Sequence, residues 1–214
     1  MEKTTIIDYL RHIRENAWNS RQLGTEFERF VKRYFKTELY YASQFSDVWL
    51  WNECPFAKGS DVGIDLVART NFGEYVAIQA KCYQPGTQVD KADVDTFLSA
   101  SGKQIVPDGK ATFYSSRIII ATNDNWTSHA SESIVGQQIP VTRIGLAQIQ
   151  SSAIDWDKFF AGAKKTIVKK TLRPHQEAAV KDVVAGFKKH ERGQLIMACG
   201  TGKTFTSLKI AEAV

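Results

Sequence analysis

Long apolar runs are missing from this 214-residue chain, and cysteine is scarce. No stretch approaches the ~18 consecutive apolar residues of a membrane-spanning helix, and the amino terminus lacks the apolar core of a secretory signal. The three cysteines show no C-x-x-C spacing and the four histidines are scattered, which excludes a disulfide framework and a zinc cluster. We therefore expect a soluble protein of a reducing cytoplasm, without membrane contact.

Apolar surface, by contrast, is plentiful. Hydrophobic residues make up 43% of the chain and aromatic residues 11%, enough for a packed core. The formal net charge of +5 favours a polyanionic partner, although a modest basic excess is weak support for nucleic acid. Because domains mostly run ~100–150 residues, the length indicates one full domain plus part of another.

Hydrophobic periodicity predicts two amphipathic helices, over "TTIIDYLRHIRENAW" and "GTEFERFVKRYF". Strands are predicted at "DVWLW", at both halves of "GIDLVARTNFGEYVAIQAKCY", at "SRIIIAT" and at "PVTRIGL". Helices are predicted between them at "DKADVDTFLSASG" and "WTSHASESIVGQQ". This order predicts an α/β or α+β domain over residues 1–150, with a mixed sheet.

Three polar side chains interrupt the apolar pattern of the predicted hairpin over residues 63–83. A turn at residues 71–73, with Gly73 taking a positive φ, gives a register that pairs Asp65 with Gln79. Alternation then predicts a half-buried hairpin with Asp65, Gln79 and Lys81 on one face. The opposite, apolar face would carry Ile64, Leu66, Ala68, Val76, Ile78 and Ala80.

An acid beside a lysine has two interpretations. A carboxylate can hold Mg²⁺ and a lysine can stabilise an anionic transition state, a combination that suits phosphodiester hydrolysis. Alternatively, the acid and the lysine form a diagonal ion pair on a solvated face. Spacing alone favours the second interpretation.

A resemblance to a known family favours the first. "GSDVGID" followed after the hairpin by "IQAKCY" resembles the Mrr-like branch of the PD-(D/E)xK restriction endonucleases, in which Gln often replaces the second acid. The resemblance implies a restriction-endonuclease-like fold, catalytic roles for Asp65, Gln79 and Lys81, and Mg²⁺ held by Asp65. "GTEFERFV" resembles the first-helix pattern of that branch, which implies Glu28 as a further metal ligand. Thr25 and Glu28 also match a helix capping box.

A phosphate-binding motif lies near the other end of the chain. "MACGTGKT" is a P-loop with Met197 at its first glycine position, preceded by a predicted strand, "QLIMAC", and followed by a predicted helix. Such a loop binds ATP with Mg²⁺ through backbone amides, a lysine and a hydroxyl. The candidate residues are Gly200, Thr201, Gly202, Lys203 and Thr204.

"LRPHQ" resembles the adenine-reading motif of superfamily-two helicases, which implies nucleotide-binding roles for Arg173 and Gln176. A plain helix start is the alternative there. We therefore predict a nuclease domain at residues 1–150, a coupler at 151–171 and the first part of a RecA-like ATPase domain at 172–214. Alone, this part should bind ATP weakly or not at all, and it should not hydrolyse ATP.

A nuclease joined to such a motor resembles the type I single-polypeptide restriction-modification enzymes of bacteria. That resemblance implies double-stranded DNA and ATP as partners, and a longer parent chain with the rest of the motor, a methyltransferase and a target-recognition domain. Cleavage by this part should show little sequence preference. One alternative is a catalytically weak DNA-docking module of a helicase or repair protein. Another is a nuclease within a type I, type III or repair system.

Overall fold

The computed structural model describes residues 4–59, 63–163, 166, 172–197 and 203–214. The chain divides into two compact units, Met1–Val168 and Lys169–Val214. No helix among the described residues is long and apolar enough to cross a membrane.

The first unit begins with three helices, continues with three consecutive strands of one sheet, and then adds two further strands, each preceded by a helix. Its described elements are α1 (Ile6–Asn16), α2 (Ser20–Thr37), α3 (Leu39–Gln44), β1 (Phe45–Leu50), β2 (Leu66–Thr70), β3 (Tyr75–Lys81), α4 (Lys91–Ser101), β4 (Ser116–Ala121), α5 (Ser128–Ser133), β5 (Val141–Ile144), α6 (Leu146–Gln150) and α7 (Trp156–Phe160). The five strands lie in the order β1-β2-β3-β4-β5. The β1–β2 and β2–β3 pairs are antiparallel, and β3–β4 and β4–β5 are parallel. The predicted α/β fold, with a mixed sheet flanked by helices, is confirmed.

Turn chemistry sets the hairpin register as predicted. Gly73 has a φ of +84°, and the Thr70 amide donates to the Glu74 carbonyl. Leu66 pairs with Ile78 and Ala68 with Val76. Strands β3, β4 and β5 are parallel, and parallel strands are joined by crossover helices that cover a face of the sheet. The sheet is therefore expected to be covered by protein on both faces.

Both faces of the hairpin are covered, so the half-buried hairpin of the sequence prediction is wrong. Leu66 and Ile78 face the core that includes α1, α2 and α7, whereas Val67 and Ala77, fully buried as well, face the core under α4 and α5. Ile64 joins this second core rather than the predicted face with Leu66. Regular pairing begins only at Leu66, and the Asp65 amide bonds the carbonyl of Ile78, the partner of Leu66, so the alternation is interrupted between Ile64 and Leu66.

Helix α2 begins earlier than the sequence suggests. Asn19 is its N-cap and accepts a hydrogen bond from the Gln22 amide, so the helix starts at Ser20. Thr25 and Glu28 therefore lie inside the helix, and the capping-box interpretation of Glu28 is wrong. The predicted apolar stripe is buried; its members are Phe27, Phe30, Val31, Tyr34 and Phe35.

The aromatic part of the predicted coupler packs within the first unit. Helix α7 buries Trp156 and Phe159 against Phe30, with ring centroids 6.1 and 5.7 Å away, and Phe160 stacks on Tyr9 at 4.5 Å. Residues after 150 thus contribute to the core around α2. The three-part division of the chain stays a prediction.

In the second unit the structure describes two helices, α8 (Pro174–Phe187) and α9 (Lys203–Ala211). Pro174 occupies the first turn of α8, as predicted. The predicted strand "QLIMAC" is wrong over residues 194–197, which form no strand; residues 198 and 199 lie outside the described range. A strand needs a hydrogen-bonding neighbour, and the described part of this unit contains none.

Candidate active site

The polar side chains of the hairpin meet at the end of β3 away from the turn. The Asp65 amide donates to the Ile78 carbonyl at 3.0 Å, although Ile78 is the pairing partner of Leu66, so the predicted pairing of Asp65 with Gln79 is wrong. The Asp65 carboxylate, through Oδ2, accepts the Ala80 amide at 2.6 Å. Ala80 separates Gln79 from Lys81, whose side chains project to the same face of β3. The structure thus brings Asp65, Gln79 and Lys81 together.

Gln79 has an unusual environment for an amide side chain. It is only 2% exposed, and its Nε2 donates to the Gly63 carbonyl at 3.3 Å. Its Oε1 is buried without a hydrogen-bond partner among the described residues. The Gly63 carbonyl accepts only, so it fixes which end of the amide points toward it. Leaving a buried acceptor unsatisfied costs about 1–3 kcal/mol.

This unsatisfied oxygen fits a hard cation. Mg²⁺ prefers oxygen ligands and is usually held by one or two carboxylates together with other oxygens. Asp65 supplies a half-buried carboxylate and Gln79 a neutral oxygen on neighbouring strands. No group of three or more His, Cys, Asp or Glu side chains in the described ranges could hold a metal. A cation at the hairpin would therefore depend on neutral oxygens as well as acids.

Glu28 lies half-buried on α2. Its carboxylate lies near Gly24, one turn earlier: a Cβ added to Gly24 would be 3.9 Å from Glu28 Oε1. Helix α2 packs against both β1 and β3, which places Glu28 on an element that flanks the hairpin. Its part in metal binding stays a prediction.

Lys81 has an acidic partner that the sequence reasoning missed. Its Nζ lies 3.1 Å from Oδ1 of Asp93 on α4, and the other oxygen of Asp93 accepts the Tyr83 hydroxyl at 2.6 Å. Burial and the hydrogen bond to Asp93 raise the pKa of Tyr83, so its phenol stays protonated. In the sequence, Asp93 reads only as a first-turn helix acid. The sequence offered one signal for a shared partner, because strand alternation puts Lys81 and Tyr83 on the same face.

The predicted ATP-binding residues lie in the second unit. The Arg173 amide donates to Gln176 Oε1 at 2.9 Å, and Gln176 is buried. This is the contact of a helix start, so adenine recognition by Arg173 and Gln176 stays a prediction. Lys203 and Thr204 begin α9, and Lys203 Nζ lies 3.5 Å from the Met197 carbonyl. Gly200, Thr201 and Gly202 lie outside the described residues.

A mixed sheet with an acid, a glutamine and a lysine at the open end of its central hairpin defines a nuclease domain of the Mrr-like PD-(D/E)xK class. The chain belongs to the restriction endonuclease family, whose family model matches residues 36–166. Residues 169–214 match the family model of the type III restriction enzyme res subunit, which confirms the helicase-like character of this part.

This chain is also similar to solved structures. The ATP-dependent Type ISP restriction-modification enzyme LlaBIII, solved bound to DNA, is 38% identical over 99% of this chain, with a TM-score of 0.72. This chain covers 13% of that enzyme's length. The MspJI restriction endonuclease matches 66% of this chain at 19% identity, with a TM-score of 0.41. The DNA modification-dependent endonuclease AspBHI matches 77% at 13% identity, with a TM-score of 0.42. A search of curated proteins gave no match.

Proposed function

We propose that this chain is the nuclease part of an ATP-dependent restriction-modification enzyme and that its hairpin site hydrolyses DNA phosphodiester bonds with Mg²⁺. The observation that carries the proposal is the buried, unsatisfied Oε1 of Gln79, whose neighbour in sequence, Ala80, donates its amide to the Asp65 carboxylate. The similarity to an enzyme solved with DNA, over 99% of this chain, supports the choice of substrate.

In the proposed reaction Asp65 and Glu28 would hold Mg²⁺, and Gln79 would add a neutral oxygen. Bound there, Mg²⁺ would stabilise negative charge on the scissile phosphate. Lys81 orients the attacking water and donates hydrogen bonds to the phosphate oxygens as they gain charge. The Ala80 amide fixes the Asp65 carboxylate through Oδ2, so the acid does not have to reorganise when the substrate arrives.

DNA binding by this chain would be mainly electrostatic. The net charge is +5, and contacts between basic side chains and phosphates carry affinity without sequence information. We propose that cleavage by this chain has little sequence preference, and that target recognition and methylation belong to other parts of a longer enzyme. ATP with Mg²⁺ would bind the P-loop residues Gly200, Thr201, Gly202, Lys203 and Thr204, with adenine at Arg173 and Gln176, to drive movement along duplex DNA.

Cleavage of supercoiled plasmid in Mg²⁺ or Mn²⁺ tests the nuclease. Asp65→Asn keeps an oxygen that can accept the Ala80 amide but removes the charge, and Lys81→Met keeps the length of the side chain but removes the ammonium. We expect this chain without substitutions, called the parent chain in the experiments below, to cut and both variants to be inactive. Asp95→Asn, in an exposed ion pair with Lys91, is the matched control and should cut normally.

Two results would contradict the proposal. Cutting by Asp65→Asn at the rate of the unsubstituted chain would show that the hairpin is not the catalytic site. Plasmid binding without metal-dependent cutting, both in this chain and in the longer enzyme, would favour the docking module instead.

A further inference from the structure

The ion pair between Lys81 and Asp93 is built into a network that reaches three elements. Asp93 uses both carboxylate oxygens, one toward Lys81 Nζ at 3.1 Å and one toward the Tyr83 hydroxyl at 2.6 Å. Its own amide donates to Oδ1 of Asp90, the N-cap of α4, at 3.0 Å. Tyr83 therefore holds the carboxylate that Lys81 contacts, and Asp90 holds the backbone of the same residue.

Tyr83 is fixed as firmly. Its amide donates to the Thr122 hydroxyl at 2.8 Å, and its carbonyl accepts Arg14 Nη2 at 2.7 Å. Arg14 comes from α1, and Thr122 directly follows β4. The phenol that supports Asp93 thus extends from a backbone held by two other parts of the first unit.

This network differs from an ordinary surface ion pair. Lys81 and Asp93 are each about one-third exposed, at 32% and 30%, whereas the neighbouring pair Lys91–Asp95 is 56% and 48% exposed. Exposed pairs contribute little because their long side chains stay mobile. The side chain of a lysine held by an already fixed carboxylate loses its conformational freedom when the protein folds. It therefore has little conformational freedom left to lose during the reaction.

We propose that Asp93, supported by Tyr83, is a positioning residue that keeps the Lys81 ammonium oriented for catalysis. This inference rests on the proposed nuclease function, because it assigns Asp93 an effect through Lys81. The pairing has a second consequence. The Asp65 carboxylate accepts the amide of Ala80, the residue before Lys81, and an ammonium released from Asp93 could turn to that carboxylate. The Asp93 contact would keep Lys81 from neutralising the acid that is assigned to the metal.

Asp93→Asn is the test substitution because it preserves the shape of the side chain and removes its charge. We expect single-turnover plasmid cleavage to fall roughly 10- to 100-fold at saturating metal, as for other residues that orient catalytic groups. DNA affinity and the melting temperature should change little. Asp93→Glu should recover part of the rate, and Asp95→Asn, on the same helix, should behave like the parent chain.

A second readout does not depend on cleavage. In ¹⁵N-labelled protein, an ammonium held by hydrogen bonds exchanges slowly enough to give an NMR signal, and Lys81→Met identifies the one from Lys81. We expect that signal in the parent chain and in Asp95→Asn, and its loss in Asp93→Asn. If neither this chain nor the longer enzyme cuts, the proposed function fails on that result, while the signal still reports whether Lys81 is held.

Three results would overturn the positioning role. These are the absence of a Lys81 signal in the parent chain, persistence of the signal in Asp93→Asn, and cleavage by Asp93→Asn at or above the parent rate. A faster variant would identify the contact as inhibitory.

Discussion

At the scale of single residues, Gln79 determines the character of the site. In the PD-(D/E)xK pattern this position carries an acid, and glutamine leaves one anionic ligand fewer. The neutral amide lets β3 stay buried without metal, because an uncompensated carboxylate there would be costly. The cost of its unsatisfied Oε1, about 1–3 kcal/mol, is smaller than that of a buried charge.

Gln79→Glu should therefore make the stability of the first unit depend on metal. Without metal, burial disfavours the carboxylate and the variant should melt below the parent chain. With Mg²⁺, the extra anionic ligand should raise the melting temperature more than Mg²⁺ does in the parent. Thermal melts with EDTA or Mg²⁺ measure both effects. Gln138→Glu, at an exposed position, is the control, and equal Mg²⁺ shifts in the two variants would contradict metal binding at Gln79.

The sequence allowed Asp65, Gln79 and Lys81 to be predicted as neighbours, because a short turn and strand alternation determine which side chains meet. Asp93 could not be found in this way. Its contact with Lys81 depends on how α4 packs over the sheet, and its position after the N-cap Asp90 already explains an acid there.

At the scale of elements, α7 completes the core around α2. Phe159 is 2% exposed, and Arg33 lies over its ring at 4.3 Å. A composition change after residue 150 suggested a coupler, yet the aromatic residues there pack against Phe30. Local sequence indicated the aromatic cluster but not its partner, because that contact spans more than a hundred residues of chain.

Phe159→Ala should lower the free energy of unfolding of the first unit by about 3–5 kcal/mol, since it leaves a cavity in a closely packed aromatic cluster. Phe160→Ala is the matched control because its side chain is only partly buried, and its effect should be smaller. Urea denaturation followed by tryptophan fluorescence measures both. Equal losses would show that α7 does not pack as described.

At the scale of the whole molecule, the chain combines a nuclease unit with a unit that matches a helicase-type family. The sheet of the first unit was predictable because all its strands lie within that unit. The strand before the P-loop was not, because a strand forms only beside a partner and none is present in the described part of the second unit. Lys203 consequently begins a helix, α9, for which the described part of the second unit contains no sheet.

We expect the purified chain to show no ATP turnover, because a P-loop needs its strand and an acidic metal motif to act on the phosphates. A coupled phosphate-release assay measures this, with Lys203→Ala as the control. Turnover that the control abolishes would contradict the prediction and would mean that the second unit is a working ATPase.

The most direct measurement for the whole account is an anomalous difference map from crystals of this chain soaked in Mn²⁺. We predict a peak within about 2.2 Å of both an Asp65 carboxylate oxygen and Gln79 Oε1, with Lys81 still paired to Asp93. A peak elsewhere, or a Gln79 oxygen satisfied by protein with no ion beside Asp65, would contradict a metal-dependent nuclease site in the hairpin.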